Sequence, residues 1–246
     1  MFVIEAFMKR NGYVTVKDGT QIFYTIFGSG EPVLFLHGNG GSSHFFQYQV
    51  ASFKKAFQLV FLDSRGHGRS TNCGDHLDFD LMAEDTKESL DALGLHKVSI
   101  VGFSDGANLA MVFAARFPDY VQKLVLNSGN LFFKGTKWYS RLLSYLQFGM
   151  NVVLNMLSRR FKNSKLQAKL LLQEEVLPPE ELKDVDAPSM VIVGENDVIE
   201  ESHSKYIASL LPHGHFVEVP REGHNLARTD APTFNQIVLS FLKGES

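Results

Sequence analysis

Cysteine is almost missing from this 246-residue chain, in which Cys73 is the only one. A single thiol permits no internal disulfide bond, so the cysteine usage does not point to an oxidising compartment. Long apolar runs are missing as well, and this argues against a transmembrane segment. The N-terminus lacks the order of a secretory signal, because its positive charges follow the apolar residues and Glu5 interrupts them. We therefore expect a cytoplasmic protein.

An excess of positive charge is also lacking. The net charge is −3 and the sequence pI is near 6.3, which argues against nucleic acid as a partner. No clustered histidine and cysteine spacing indicates a metal site. With 44% hydrophobic and 21% charged residues, the composition is typical of a globular protein. The length fits one domain with an insertion.

Eight short apolar runs alternate with helical patterns along the chain. The predicted strands are residues 12–16, 21–27, 33–36, 59–62, 98–101, 123–126, 190–193 and 215–219. Asp18-Gly19 between the first two runs is a strong hairpin signal. Alternating strands and helices are typical of a parallel sheet with helices on both faces. We therefore predict an α/β fold, a three-layer sandwich around a mostly parallel eight-stranded sheet.

Residues 131–186 carry no strand signal and show only helical patterns. They lie between two predicted strands, so we interpret them as a helical cap inserted into a core of residues 1–130 and 187–246. Ligand sites of open α/β sheets lie at the carboxyl ends of the strands. We expect the cap to cover that edge of the sheet.

Two glycine-rich motifs follow predicted strands. Residues 102–106 (GFSDG) join the fifth strand to a helical pattern, a turn too tight for most Cβ atoms that would raise the Ser104 hydroxyl clear of the chain. Residues 37–41 (HGNGG) follow the third strand and leave backbone N–H groups accessible, as a developing oxyanion requires. Each motif alone also fits an ordinary glycine-rich turn.

An acid and a histidine follow two late strands. Asp197 comes just beyond the seventh strand, with Glu195 as the rival carboxylate. His224 is the only histidine in a Gly-His turn directly after a late strand, whereas His37 and His67 occupy early turns. An oxyanion loop, a serine, an acid and a histidine therefore follow strand ends in that order.

This order resembles that of the α/β-hydrolase-fold family, and the resemblance covers nearly the whole chain. The chain is most similar to the small esterase-like branch with a short helical cap. Residues 63–70 (DSRGHGRS) and the amphipathic C-terminal pattern also agree, with Asp63 and Arg65 expected to organise a turn. One departure is that family members often carry a proline shortly after the acid, which is missing after Asp197.

The resemblance implies a serine hydrolase. Ser104 would be the nucleophile, His224 its general base, and Asp197 the residue that orients the imidazole. The backbone N–H groups of Asn39 and Asp105 would form the oxyanion hole. This chemistry requires no metal and no organic cofactor.

The expected substrates are small-molecule carboxylic esters of small to medium acyl groups. A serine nucleophile disfavours haloalkane dehalogenase and epoxide hydrolase chemistry, which use a carboxylate. Four alternatives remain open: carbon–carbon bond hydrolysis of the meta-cleavage-product type, thioester hydrolysis, acyl transfer, and a non-catalytic ligand receptor that uses the same pocket.

The cap is unusual in its charge, because no acidic residue occurs between Asp119 and Glu174. The basic residues of this region are Lys123, Lys134, Lys137, Arg141, Arg159, Arg160, Lys162, Lys165 and Lys169. Three interpretations remain open: the cap attracts an anionic substrate, rests on an anionic membrane surface, or pairs with its own acidic half, residues 174–186.

An uncharged apolar stretch, residues 142–158, lies within this basic region. We predict that it packs over Ser104 and lines an acyl pocket. The candidate pocket residues are Trp138, Tyr139, Leu142 and Leu146, with Leu143, Tyr145 and Phe148 as a wider set. An exposed apolar helix here would also suit a homodimer contact.

Overall fold

The structure is a computed structural model that describes residues 10–245. Residues 1–9, which bear on the expected absence of a secretory signal, lie outside the described residues. The strands are β1 (Arg10–Thr15), β2 (Gln21–Phe27), β3 (Glu31–Leu36), β4 (Phe57–Leu62), β5 (Val98–Phe103), β6 (Val121–Asn127), β7 (Ser189–Asn196) and β8 (Gly214–Gly223).

These strands form one sheet in the order β1-β2-β4-β3-β5-β6-β7-β8. β2 runs antiparallel to both of its neighbours, and the pairs from β4 to β8 are parallel. The predicted mostly parallel eight-stranded sheet is confirmed.

The described residues form nine α-helices. They are α1 (Val50–Phe53), α2 (Phe79–Ala92), α3 (Asp105–Arg116), α4 (Trp138–Leu157), α5 (Lys162–Leu170), α6 (Pro179–Leu182), α7 (Glu201–Leu210), α8 (Leu226–Thr229) and α9 (Ala231–Lys243). None of the helices within residues 10–245 combines the length and apolarity needed to cross a bilayer.

Local sequence sets the ends of the long core helices. The Asp78 carboxylate accepts the Leu81 N–H and begins α2, and the Asp230 carboxylate accepts the Thr233 N–H at the start of α9. Gly244 follows α9 in the left-handed conformation (φ 74°), which favours glycine at a helix end.

The alternation of side chains along the central strand builds a core on each face of the sheet. Leu34 and Leu36 of β3 belong to one buried cluster, together with apolar residues of α2 and α3. Val33 and Phe35 belong to a second cluster, which includes Phe234 of α9. Successive strand residues point to opposite faces, so the sheet is the middle of three layers.

The chain leaves the sheet after β6 and returns at β7. The intervening residues form α4, α5 and α6. Two isolated β-bridges, Phe132 with Glu175 and Thr136 with Ile199, tie the start of this segment to later residues. The three helices thus come between two neighbouring parallel strands in the chain. Residues of α4 and α5 lie near Ser104, at the carboxyl end of β5, whereas α6 packs on α3 and α7.

Candidate active site

Ser104 occupies the sharp turn between β5 and α3. Its backbone has a positive φ (φ 54°, ψ −122°), which is unusual for a residue other than glycine. The flanking glycines are required by close packing. A Cβ atom at Gly106 would lie 2.0 Å from the Leu36 carbonyl oxygen, and one at Gly102 would lie 2.3 Å from the Gly106 carbonyl oxygen. Glycine is therefore required at both positions of the GFSDG motif, because a side chain at either would overlap with the backbone.

The structure brings Ser104, His224 and Asp197 together from the ends of β5, β8 and β7. His224 Nε2 lies 3.1 Å from Ser104 Oγ, and His224 Nδ1 lies 2.7 Å from Asp197 Oδ1. Asp197 is buried. The rival Glu195 is exposed and accepts the backbone N–H of Arg221 instead. The side chains are thus in position for proton transfer from a serine to an oriented imidazole.

Three donors surround the Asp197 carboxylate. His224 and Ser128 face its two oxygens, Ser128 Oγ at 2.5 Å from Oδ2, and the Ile199 N–H lies 3.2 Å from Oδ1. Burial alone would raise the pKa of Asp197, but the hydrogen bonds from His224 and Ser128 bring this pKa below its ordinary value. A carboxylate held in its charged form can stabilise a positive imidazolium.

Ser128 is a residue that the sequence analysis did not single out. It follows β6 directly and has a positive φ of 59°. No motif marks it, and its only sequence signal is its position after a strand of the predicted sheet.

The predicted oxyanion residues lie side by side. Asn39 Nδ2 donates to Asp105 Oδ2 over 2.8 Å and to the Gln167 carbonyl oxygen over 2.9 Å. Among residues 10–245, the backbone N–H groups of Asn39 and Asp105 have no hydrogen-bond acceptor. The N–H of Asp105 is one of the unpaired donors at the start of α3. Both groups are therefore available to a developing negative charge.

Asp105 places a buried carboxyl group beside this site. Burial raises its pKa to about 6, although the hydrogen bond from Asn39 acts in the opposite direction. Gln167, which the sequence analysis also missed, connects α5 to two loops. Its carbonyl oxygen accepts Asn39 Nδ2 of the oxyanion loop, and its Nε2 donates to the Gly66 carbonyl oxygen in the loop after β4. The oxyanion loop, α3 and α5 are thus held by one hydrogen-bond network.

The two early histidines support the loops instead of joining the triad residues. Nδ1 of the buried His37 donates to the Gly38 carbonyl oxygen, and its Nε2 accepts the Ser64 N–H. His67 Nδ1 donates to the Arg65 carbonyl oxygen. Burial lowers the pKa of both histidines, that of His67 to about 4. The His37 ring therefore connects the oxyanion loop to the loop after β4, whereas the His67 ring forms a hydrogen bond within that second loop.

Arg65 and Asp63 organise the loop after β4. The buried Arg65 guanidinium forms ion pairs of 2.6 Å with both Asp85 and Asp18. Burial alone would lower the pKa of Arg65, but the hydrogen bonds to these carboxylates raise it above its ordinary value. Asp63 accepts the backbone N–H groups of Ser43 and Arg69. Neither side chain contacts Ser104 or His224.

A cavity of about 260 Å³ adjoins Ser104 and His224, and residues of α4 and α5 contribute to its lining. Its apolar wall includes Phe133, Leu143, Leu170, Leu171, Val176, Val198 and Ile199. Its polar wall includes Asn108, Asn130, Thr136, Ser140, Ser144, Gln147 and Gln173. A cavity lined in this way can accept a short acyl chain next to the serine hydroxyl.

The four predicted pocket residues lie elsewhere, and their assignment to the pocket was wrong. Trp138, Tyr139, Leu142 and Leu146 are 68%, 38%, 51% and 61% exposed, and they do not line the cavity. The reason is helical periodicity. Ser140, Ser144 and Gln147 share one side of α4, and the four predicted residues occupy the other. Leu143, from the wider set, does line the cavity.

The charges of the cap also lie away from this cavity. Within residues 10–245, its only ionisable lining residues are Asp105 and His224. Arg228, from the core, lines a neighbouring hollow together with Asn39 and Phe103. The acidic half of the cap pairs with the core, since Glu181 contacts Arg116 and Asp186 contacts His213. Within residues 10–245, no ion pair joins the acidic half to the basic residues of the cap.

Comparisons with known proteins show what this chain is similar to. A bifunctional esterase/perhydrolase DCH of Acinetobacter calcoaceticus is 29% identical, covering 94% of this chain and 99% of the relative. A putative carbamate hydrolase RutD of Caulobacter segnis is 28% identical, covering 87% and 92%. The solved structure of an esterase from Exiguobacterium antarcticum has the same fold, with a TM-score of 0.82, 19% identity and coverage of 95% and 100%.

The family model for the alpha/beta hydrolase fold matches residues 31–170. This range is more than half of the chain and contains the oxyanion loop, the turn at Ser104 and most of the cap. The relatives that cover 94% and 87% of the chain support a hydrolase. The chain belongs to the alpha/beta hydrolase fold family.

Proposed function

We propose that this protein is a serine hydrolase that cleaves carboxylic esters of small to medium acyl groups. The observation that carries the proposal is the unbroken chain of contacts from Ser104 Oγ through His224 to Asp197, beside two unpaired backbone N–H groups. A pocket used only for binding does not require this arrangement. The similarity to an esterase/perhydrolase supports an ester substrate.

In the proposed first half-reaction, Ser104 Oγ attacks the ester carbonyl carbon while His224 Nε2 accepts the hydroxyl proton. The carbonyl oxygen becomes an oxyanion that accepts hydrogen bonds from the backbone N–H groups of Asn39 and Asp105. His224 then gives its proton to the departing alcohol oxygen, and the acyl group stays on Ser104. Asp197 stabilises the imidazolium that exists between these two proton transfers.

In the second half-reaction, a water molecule attacks the acyl-enzyme. His224 accepts a proton from the water, the tetrahedral intermediate forms at the same two N–H donors, and Ser104 leaves with the proton returned by His224. The balance is one water consumed, one carboxylic acid and one alcohol released. The cavity of about 260 Å³ beside Ser104 would hold the acyl group.

The direct test is hydrolysis of p-nitrophenyl acetate and butyrate by the wild type and by Ser104→Ala. We expect turnover with an initial burst, and a loss of at least about 10³-fold in kcat/KM for Ser104→Ala. Ser189→Ala is the matched control, because Ser189 is a buried serine of β7 away from the site. Equal activity of wild type and Ser104→Ala would contradict the proposal.

A fluorophosphonate probe separates an enzyme from a receptor. We expect the probe to label the wild type at Ser104 and to leave Ser104→Ala and His224→Ala unlabelled, because phosphonylation requires an activated serine. An unlabelled wild type that nevertheless gains thermal stability from small esters would favour the receptor hypothesis. A labelled protein that is inert on esters would direct the search to thioesters and to carbon–carbon bond substrates.

A further inference from the structure

Helix α4 exposes its apolar side to solvent, unlike an ordinary surface helix. Six of its exposed apolar residues share one side and are here called the outer face: Trp138, Leu142, Leu146, Val153, Met156 and Leu157, each at least 51% exposed. Leu143, Tyr145 and Met150 are exposed beside them. The residue of α4 that is buried is polar, Asn151. Surface helices of globular proteins turn their apolar stripe to the core and their polar face to water. In α4 the apolar stripe faces outward.

The outer face is continuous. At about 100° per residue, its six members fall within an arc of about 100°, while Ser140, Ser144, Gln147 and Asn151 fall within about 60° on the opposite side. Twenty residues give a helix about 30 Å long, so the stripe is a ridge and not a small patch. Exposed apolar surface of this extent marks an interaction site.

Both ends of the outer face carry positive charge. These basic ends consist of Lys134, Lys137 and Arg141 before or at the first turns of α4, and Arg159, Arg160 and Lys162 after its last turn. Within residues 10–245, no carboxylate forms an ion pair with any of the six. Arg141 and Lys162 contact backbone carbonyl oxygens instead. Their charges are thus uncompensated.

We propose that the outer face of α4 and its basic ends dock on an anionic lipid surface, with the helix lying in the plane of the headgroups. Such a surface has acyl chains below and anionic headgroups above. The apolar side chains of the outer face would enter the acyl-chain layer, and the basic ends would contact the headgroups. The inner side of α4 lines the cavity beside Ser104, so docking brings the site close to the lipid. The proposal concerns binding and does not depend on the proposed esterase activity.

A second copy of the chain fits this surface less well. If two copies packed through their outer faces, the helices would run parallel or antiparallel to each other. Because both ends of α4 are basic, either arrangement brings cations of one copy against cations of the other. A single small anion also fits poorly, since the two basic ends are separated by the length of the helix. Charge complementarity therefore selects an extended anionic surface.

Trp138 makes the test direct, because it is the only tryptophan of the chain and lies on the outer face. Its fluorescence is measured with phosphatidylcholine vesicles with and without phosphatidylserine, and binding is measured in parallel by co-sedimentation. We expect a blue shift and co-sedimentation with the anionic vesicles, both weakened by added salt. The net charge of −3 disfavours general adsorption to these anionic vesicles. Binding would therefore be due to the outer face and its basic ends.

Two double variants separate the apolar and the charged contributions. Met156→Ser with Leu157→Ser is expected to weaken partitioning at least about tenfold, and Arg159→Gln with Arg160→Gln about 30-fold on phosphatidylserine vesicles. Lys97→Gln with Lys183→Gln removes two exposed charges elsewhere and is expected to change partitioning less than about twofold. An unchanged circular dichroism melting curve checks that each variant is folded.

Three results would overturn the proposal. One is no blue shift and no co-sedimentation with anionic vesicles, and another is equal partitioning to vesicles with and without phosphatidylserine. The third is a dimer in sedimentation velocity that Met156→Ser with Leu157→Ser dissociates, which would assign the outer face to a second copy. All measurements are repeated on Ser104→Ala, which is expected to bind like the wild type. A failed esterase assay therefore leaves the vesicle result interpretable.

Discussion

Ser128 Oγ donates a hydrogen bond to Asp197 Oδ2 over 2.5 Å, while Oδ1 of the same carboxylate lies 2.7 Å from His224 Nδ1. The Ser128 hydroxyl is itself fixed by Asn127 Nδ2. The carboxylate is thus held at both oxygens, so it cannot rotate away from the imidazole. Its orientation depends on a residue that does not contact the substrate cavity.

Ser128→Ala should therefore lower kcat more than it changes KM. Loss of one charge-assisted hydrogen bond leaves Asp197 free to rotate, and we expect kcat for p-nitrophenyl butyrate to fall about tenfold with KM within about twofold. Ser189→Ala, which removes a buried hydroxyl of β7, is the control for a loss of stability alone. An unchanged kcat in Ser128→Ala would show that Asp197 is oriented without it.

Asn39→Ala should loosen the oxyanion loop. The substitution removes the side-chain bonds to Asp105 and to the Gln167 carbonyl oxygen, which hold the loop against α3 and α5. We expect kcat to fall by about 10- to 100-fold, because the Asn39 N–H donor is no longer held in place. Asn155→Ala on α4 is a matched control outside this network. Equal kcat values in the two variants would contradict the assignment.

The order of the strands was predictable from the sequence, and with it the meeting of Ser104, Asp197 and His224. The exact ends were not, because β5, β7 and β8 extend beyond the predicted residues 101, 193 and 219 to residues 103, 196 and 223. Each of the three site residues follows a short apolar run, and parallel strands deliver their carboxyl ends to the same edge of the sheet. The partners of these residues were not predictable in the same way. Gln167 reaches Asn39 across 128 positions, and only the packing of α5 on the loop makes that contact.

The exposure of the outer face of α4 was not predictable from the sequence. Composition assigns Trp138 and Leu142 to the interior, because burial of apolar surface stabilises most helices. Periodicity shows that α4 has two unlike faces but cannot show which of them meets the protein. In the structure Ser140 and Ser144 line the cavity, and the apolar face on the other side of α4 is exposed.

Alanine substitutions at two glycines should have opposite effects on stability, because one glycine is packed against the backbone and the other lies in open space. Gly106→Ala places a Cβ atom 2.0 Å from the Leu36 carbonyl oxygen, and we expect it to lower the free energy of unfolding by at least about 4 kcal/mol or to prevent folding. Gly149→Ala, in open space on α4, is expected to raise it by about 0.5 to 1 kcal/mol. Urea unfolding measures both. A Gly106→Ala protein of wild-type stability would contradict the packing at the turn.

His203 should make the stability of the protein depend on pH. Its Nε2 accepts the Leu131 N–H over 3.0 Å at the entry to the cap, and burial lowers its pKa from 6.5 to about 4. The folded state therefore binds fewer protons than the unfolded state between these values. The contribution of His203 is fully present above pH 6.5 and is lost as the pH falls through about 4.

Other buried groups contribute over the same pH range, so a variant must isolate His203. His67 has the same sign, with its pKa lowered to about 4, whereas Asp105 has the opposite sign, because its raised pKa of about 6 favours folding at low pH. His203→Gln keeps an acceptor near the Nε2 position but cannot titrate. We expect this variant to reduce the slope of unfolding free energy against pH by about 1.4 kcal/mol per pH unit between pH 6.5 and 4.5. Urea unfolding at several pH values measures that slope, and an unchanged slope would mean that the His203 ring is not held neutral in the folded protein.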